Sequence, residues 1–321
     1  MTKRHHPRRG STQFWPRKRA KHSLARIRSW AKEDKTKLLG FICYKAGMTR
    51  IQVVDNRPKS TSKGEKIAVP VTIVECPPMK VMGIAFYKKS FWKIKKITSV
   101  LATNLDKELK RKMPLPKKST KSVDDVKEFD DLRLLVHTNP KLTGIGTKKP
   151  KVLEIALGGS KEEKLNFAKE HLGKELKIND VFDPGVLVDV HGISIGKGYQ
   201  GTVKRYGVPI RQHKAEKTKR GIGNLGAWTP KRVDFRVPQP GKMGYHLRTE
   251  YNKQIIKIGE NGQEITPKGG KLRYGVIKNP YLLIKGTVIG PKKRALVLTQ
   301  AIRPNPKTHK EAPEIAFIRI K

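Results

Sequence analysis

Acidic residues are scarce in this chain. Its 321 residues include 27 Asp and Glu against 71 Lys and Arg, which gives a formal net charge of +44 and a pI near 10.4. Positive charge in this excess repels itself, and a dense polyanion such as RNA or DNA removes that repulsion. The composition therefore predicts a nucleic-acid partner.

Long apolar runs and paired cysteines are also missing. No stretch reaches the roughly 18 apolar residues of a membrane span, so we expect no membrane partner. The basic N-terminus has no apolar stretch behind it, so we expect no secretory signal. Cys43 and Cys76 lie far apart and support neither a disulfide framework nor a zinc site. We expect both to be small buried residues of a protein in a reducing, cytosolic compartment.

Catalytic and metal-binding patterns are missing too. The nine histidines show no metal-ligand spacing, and no Ser-His-Asp or Cys-His arrangement can be argued. We therefore expect no enzyme, no cofactor, no metal and no small-molecule substrate. Gly196–Gly201 matches G-x-G-x-x-G, with Glu216 as a candidate ribose-binding acid. That motif needs a helix directly after it, whereas the residues that follow favour a strand, so a nucleotide-dependent enzyme is the less favoured alternative.

The charges are unevenly distributed. Of the 27 acidic residues, 14 lie between 106 and 183, which predicts a nearly neutral lobe that faces solvent. Residues 1–37 form a basic arm, expected to lack regular structure until it binds. Trp15 and Trp30 in this arm can stack on bases or pack on the protein itself, and packing is the commoner outcome.

The stretch 206–248 is basic, rich in glycine and proline, and without apolar periodicity. Only Glu216 and Asp234 oppose its many cations, so the segment is expected to become ordered on nucleic acid. Trp228 has small or stiff neighbours rather than an apolar run. This context favours an exposed functional tip, able to stack on bases, over a core tryptophan.

Elsewhere the pattern is that of a mainly β protein. Short β-branched and aromatic runs are separated by Gly, Pro and Asn, which predicts a closed barrel or a sandwich rather than βαβ layers. Ser160 and Glu163 fit a capping box, and a helix is predicted over 161–172. Strands are predicted over 38–44, 49–54, 68–75, 80–88, 91–100, 132–137, 152–157, 185–194, 201–208, 246–258, 281–290 and 295–302.

Five motifs together resemble the L-three family of large-subunit ribosomal proteins in its archaeal form. They are PRKRAKH (16–22), LGFICYKAGMT (39–49), VDVHGISIGKGYQGTVKR (188–205), GIGNLGAWTPKRV (221–233) and GKMGYH (241–246). The resemblance implies a translation-factor-type closed β-barrel with an inserted α/β lobe, a long basic loop extension and a basic N-terminal arm. The implied division is 1–37 arm, 38–83 barrel, 84–180 inserted lobe, 181–205 barrel, 206–248 extension, 249–303 barrel and 304–321 C-terminal segment.

The resemblance also implies a function. Such a protein is a structural constituent of the cytoplasmic large ribosomal subunit, binds its ribosomal RNA directly and contacts neighbouring ribosomal proteins. It supports early subunit assembly and shapes the region near the peptidyl transferase centre and the tRNA entry path. A DNA-packaging protein is the remaining alternative from another class.

The candidate RNA-binding residues are cations and one aromatic residue. By resemblance, Trp228 is the loop tip, and Lys219 and Arg220 form the adjacent basic projection. Eukaryotic relatives have a histidine in place of Lys219, and bacterial ones have Gln-Asp-Pro at 228–230, so no side-chain methylation is inferred. The candidates are Arg17, Lys18, Arg19, Lys197, Lys204, Arg205, Arg211, Lys214, Lys217, Lys219, Arg220, Trp228, Lys231, Arg232, Arg236 and Lys242.

Overall fold

The computed structural model describes residues 8–116, 121–126, 128–214, 217–229, 231–309 and 311–320. The chain divides into two compact units, named here unit 1 and unit 2. Unit 1 comprises Met1–His22 and Ile193–Arg248, and unit 2 comprises Ser23–Gly192 and Thr249–Lys321. Each is described separately below.

The protein is mainly β, as its sequence predicts. The strands are β1 (Gly40–Val54), β2 (Lys66–Glu75), β3 (Met79–Ser90), β4 (Lys93–Leu101), β5 (Asp131–Thr138), β6 (Val152–Ala156), β7 (Glu175–Leu176), β8 (Leu187–Ile193), β9 (Tyr199–Gln200), β10 (Gly241–Lys242), β11 (Leu247–Gly259), β12 (Tyr281–Lys285), β13 (Ala295–Gln300) and β14 (Ile315–Ile318). The α-helices are α1 (Lys161–His171) and α2 (Thr202–Tyr206), and 3-10 turns occupy Lys107–Arg111, Pro140–Leu142, Ile178–Asp180 and Gly262–Ile265. Within the described residues, every helix is too short or too polar to cross a membrane.

Two larger sheets organise these strands. One runs in the order β13-β8-β11-β12-β2-β1-β14, and β13 also pairs with β1. The other runs β4-β3-β5-β6, with β7 added to β3. Phe41, Val74, Phe86, Leu134 and Leu298 belong to one continuous buried cluster, so strands of both sheets share a core in unit 2. Cys43 and Cys76 are free thiols buried on this core, as predicted.

Two strands predicted separately are one continuous strand in the structure, because a β-bulge spans the residues between them. The predicted strands 38–44 and 49–54 form the single strand β1, in which the pairing to β2 shifts between Lys45 and Gly47. A bulge of this kind adds a residue to one strand without ending the ladder.

The predicted strand over 201–208 is wrong, because Thr202–Tyr206 is the helix α2. Thr202 and Tyr206 are buried whereas Lys204 between them is exposed, which fits a helix, because a strand would place all three on one face. Gly207 ends the helix in the left-handed conformation with φ 71°, a conformation that costs glycine little. The β-branched residues Thr202 and Val203 were misread because their propensity yields to this packing.

Helix α1 confirms the prediction made from its cap. The backbone N–H of Glu163 donates to the Ser160 hydroxyl, and the N–H of Ser160 donates to the Glu163 carboxylate at 3.0 Å. Thr36 adds a hydroxyl bond of 2.8 Å to the same carboxylate. The bonds that this carboxylate accepts from the Ser160 N–H and the Thr36 hydroxyl hold the pKa of Glu163 below its usual value.

Glu75, the last residue of β2, is fully buried and bonded to neutral donors. Its Oε1 accepts from the backbone N–H groups of Lys278 and Asn279 at 2.9 and 3.1 Å, and from the Asn279 amide at 2.8 Å. Its Oε2 accepts from the Tyr274 hydroxyl. Burial and this carboxylate raise the pKa of Tyr274. Glu75 therefore fixes the loop before β12 against the end of β2.

We expect Glu75→Gln to lower the free energy of unfolding by about 1 to 3 kcal/mol. The amide is a weaker acceptor than a carboxylate, and it places an N–H group where an oxygen accepts. Chemical denaturation of the wild type and the variant measures the difference. Glu65→Gln, at an exposed position, is the matched control, and a loss no greater than that of the control would contradict this role of Glu75.

Candidate nucleic-acid interface

The basic segment of unit 1 follows an irregular path. Between α2 and β10, its described residues (207–214, 217–229 and 231–240) contain no helix or strand. Isolated backbone hydrogen bonds shape it, such as Arg211 N–H to Lys219 C=O at 3.1 Å and Val237 N–H to Asp234 C=O at 3.0 Å. This agrees with the lack of apolar periodicity in its sequence.

A short antiparallel ribbon closes the base of the segment. Strand β9 pairs with β10, and Lys197 N–H and Met243 N–H donate to Met243 C=O and Gly198 C=O at 2.9 and 2.8 Å. Gly244 has φ 77°, and a Cβ there would lie 2.0 Å from the Ile195 carbonyl oxygen. Gly244 therefore allows its backbone to approach that of Ile195 and Gly196 closely.

The same ribbon bears on the dinucleotide interpretation of Gly196–Gly201. The sequence argues against that interpretation because it predicts no helix after the glycines. This prediction is wrong, since α2 directly follows Gly201. However, β9 pairs with an antiparallel strand rather than opening a parallel βαβ unit. Helix α2 has five residues and no side-chain cap. Glu216 lies outside the described residues.

Arg17 and Arg205 bind the protein's own chain. The Arg17 guanidinium donates to the Arg205 carbonyl oxygen at 3.2 Å and lies 4.3 Å from the centroid of the Tyr206 ring. Arg205 donates to the carbonyl oxygens of Lys242 and Gln239 at 3.2 and 2.8 Å. Both side chains are half-buried. These bonds connect the arm, α2 and β10 within unit 1.

Aromatic packing within unit 1 adds to these contacts. Trp15 is half-buried, with its ring centroid 6.1 Å from that of Tyr206 and 5.6 Å from that of Phe235. Trp30 in unit 2 also packs on a buried cluster. Both tryptophans therefore pack on the protein, the outcome favoured from the sequence. Phe235 is not among the residues predicted from the sequence, although an aromatic residue between Asp234 and Arg236 is a signal for such a contact.

Arg236 is the one candidate cation whose charge is offset by a described carboxylate. Its Nε and Nη2 donate to the two oxygens of Asp234 at 3.0 and 2.7 Å. These bonds lower the pKa of Asp234 to about 2. The pair is exposed, so it neutralises charge more than it stabilises the fold.

The other candidate cations are exposed and form no ion pair with any described residue. Their charges are therefore available to an external polyanion. They are Lys18, Arg19, Lys197, Lys204, Arg211, Lys214, Lys217, Lys219, Arg220, Lys231, Arg232 and Lys242.

Trp228 lies among these cations with 82% of its surface exposed. The Lys231 ammonium is 5.9 Å from its ring centroid. Gly223 and Gly226, with φ of 100° and 124°, carry the chain to this point in conformations that favour glycine. Pro230 lies outside the described residues. The exposed ring offers a stacking surface with cations beside it.

The described residues contain no cluster of three or more His, Cys, Asp or Glu side chains suited to a metal ion. Unit 1 presents exposed positive charges together with the exposed ring of Trp228. Such an arrangement binds phosphates and bases.

Comparison with known proteins gives a consistent result over the full length. The family model described as Ribosomal protein L3 matches residues 1–319. The chain is 52% identical to the large ribosomal subunit protein uL3 of Methanocaldococcus jannaschii, over 97% of this chain and 96% of that protein. It is 49% identical to uL3 of Methanococcus vannielii, over 98% and 97%, and 46% identical to uL3 of Archaeoglobus fulgidus, over 98% and 97%. The chain belongs to the ribosomal protein L3 family, whose members are structural components of the ribosome and not enzymes.

Proposed function

We propose that this protein is a structural constituent of the cytoplasmic large ribosomal subunit and binds the ribosomal RNA of that subunit directly. The observation that carries the proposal is the set of exposed cations in unit 1 that no described carboxylate offsets. The relatives named as large ribosomal subunit proteins supply the identity of the polyanion. Neighbouring ribosomal proteins of the subunit are further partners.

Binding draws its free energy mainly from phosphates. Each Lys or Arg that neutralises a phosphate releases a condensed counterion, which favours the complex most strongly at low salt. The ribbon β9–β10 and the internal bonds of Arg17 and Arg205 set where the cations stand. Recognition therefore depends on the shape and backbone of the RNA more than on its base sequence.

The strands of the larger sheet fit the fold that the family resemblance implies. Strands β13, β8, β11, β12, β2 and β1 pair in that order, and the β13–β1 pairing joins the two ends. We infer that this ring is the closed barrel of the translation-factor type, formed from 38–83, 181–205 and 249–303, with 84–180 as the inserted lobe. The arm 1–37 and the extension 206–248 then fill crevices between RNA helices, which supports early assembly.

Trp228 has a separate role in this proposal. As the exposed tip of the extension, it sets the geometry of the RNA near the peptidyl transferase centre and the tRNA entry path. The ring contributes base stacking, and Lys219 and Arg220 contribute charge beside it.

We expect the purified protein to bind large-subunit ribosomal RNA more tightly than duplex DNA of equal length, and to co-sediment with large subunits in a sucrose gradient. Filter binding and the gradient measure both. Equal affinity for the two nucleic acids without co-sedimentation would favour the DNA-packaging alternative. Saturable binding of NAD or FAD would favour the nucleotide-dependent enzyme.

The triple variant Lys217→Ala, Lys219→Ala, Arg220→Ala is expected to reduce the slope of log affinity against log salt by about 2 to 3. Each substitution removes one exposed positive charge that is expected to bind a phosphate. The control variant Lys59→Ala, Lys63→Ala, Lys66→Ala removes the same charge from exposed positions of unit 2. Equal slopes for the two variants would show that net charge, rather than the extension, determines binding.

We expect Trp228→Ala to leave large-subunit assembly nearly intact and to slow tRNA accommodation or change sensitivity to antibiotics that act at the peptidyl transferase centre. The charges that determine affinity remain, and only the stacking ring is lost. Gradient profiles measure assembly, and elongation rates of reconstituted ribosomes measure accommodation. Phe317→Ala, an exposed aromatic residue of unit 2, is the control. Normal elongation in the Trp228 variant would end this assignment.

A further inference from the structure

An exposed aromatic pair lies at the tip of the β3–β4 hairpin in unit 2. Phe91 and Trp92 are 92% and 86% exposed, and their rings meet in a T-shaped arrangement with centroids 5.3 Å apart. All residues from Lys88 to Ile97 are exposed. The two rings therefore contribute little to the core, although aromatic residues usually bury a large apolar area.

The hairpin continues beyond the sheet from which it starts. Strand β5 pairs with β3 as far as Tyr87 opposite Asp131, whereas β4 remains paired with β3 as far as Ser90 opposite Lys93. The last residues therefore form a two-stranded ribbon that no third strand supports. The aromatic pair stands at the end of this projection.

Turn geometry does not account for the two aromatic residues. Phe91 and Trp92 are the two residues between Ser90 and Lys93, and two-residue hairpin turns favour Asn-Gly or Asp-Gly because positive φ matches the strand twist. Neither Phe91 nor Trp92 has a positive φ. Two large apolar side chains at an exposed turn therefore call for a partner outside this chain.

The ribbon also concentrates positive charge. Lys88 lies opposite Lys95 and Ser90 opposite Lys93, so Lys88, Lys93 and Lys95 share one face. Like charges placed opposite each other destabilise a hairpin. Lys88 is paired with Glu128 at 3.0 Å, but Lys93, Lys95 and Lys89 form no ion pair with any described residue. A phosphate backbone supplies the missing negative charge.

We propose that this β3–β4 tip is a second RNA-binding element, separate from the 206–248 segment. Phe91 and Trp92 stack on unpaired bases, and Lys93 and Lys95, which share one face of the ribbon, bind phosphates of the same strand. RNA fits better than a protein surface because lysine is depleted in protein interfaces, whereas rings among cations are typical of single-strand binding. The lobe predicted to face solvent thus has an RNA contact of its own. That the nucleic acid is ribosomal RNA rests on the proposed function.

The test is chemical footprinting of an archaeal large-subunit ribosomal RNA transcript with the full-length protein. In the variant Phe91→Asn, Trp92→Gly, we expect one group of protected nucleotides to need about tenfold more protein for half-protection. The nucleotides whose protection depends on Lys217, Lys219 and Arg220 stay protected. The thermal midpoint is expected to stay close to that of the wild type, because both side chains are exposed and lie outside the core, so misfolding cannot explain the loss.

Matched variants separate stacking from charge. Leu272→Asn removes another exposed apolar side chain of unit 2 and is expected to leave the footprint unchanged. Lys93→Gln with Lys95→Gln is expected to weaken protection of the same nucleotides as the aromatic variant, whereas Lys59→Gln with Lys63→Gln is not.

Three outcomes would overturn the proposal. If the aromatic variant retains the full wild-type footprint, the β3–β4 tip does not bind RNA. The proposed function would still stand. No footprint with the wild type would overturn both. An unchanged footprint with loss of a neighbouring ribosomal protein from reconstituted subunits would assign the tip to a protein partner.

Discussion

Repulsion between cations that have no carboxylate partner is the constraint on which this protein depends. Every ion pair between described residues lies in unit 2, except Arg236–Asp234. Unit 2 also holds the main buried core, so charge is neutralised where the chain is packed. The cations of unit 1 lack such partners, and a polyanion lowers their electrostatic free energy most effectively. Distribution of charge, more than total charge, therefore separates the scaffold from the binding segment.

Features set by neighbouring residues were predictable, and features set by tertiary packing were not. The capping box of α1 needs only Ser160 and Glu163, so its helix was found within one residue at its end. Helix α2 depends on the burial of Thr202 and Tyr206, which no local pattern shows, and β propensity gave the wrong answer. The ladder between β14 and β1 was missed for a similar reason, because Ile318 pairs with Ile51 from the far end of the chain.

Among the candidate residues, sequence identifies the type of side chain but not its partner. Arg17 and Arg205 look the same in sequence as Arg211 and Arg220, yet they donate to backbone carbonyl oxygens of their own unit. The strand predicted over 91–100 includes Phe91 and Trp92 because aromatic residues favour strands. Its place at a projecting turn follows only from the register of β3 with β4.

In the function proposed above, the arrangement of unit 1 explains how an irregular segment recognises RNA. Its base is fixed by β9 and β10 and by the close approach at Gly244, so the cations start from a defined position. Beyond the base, Gly223 and Gly226 have positive φ, which glycine adopts without strain. Ordering such a segment on RNA costs conformational entropy, which lowers the net affinity per unit of contact area. Because the β9–β10 base is already fixed, fewer residues of the segment must be ordered on RNA, and the entropy cost is smaller. The segment can therefore recognise RNA shape without losing its affinity.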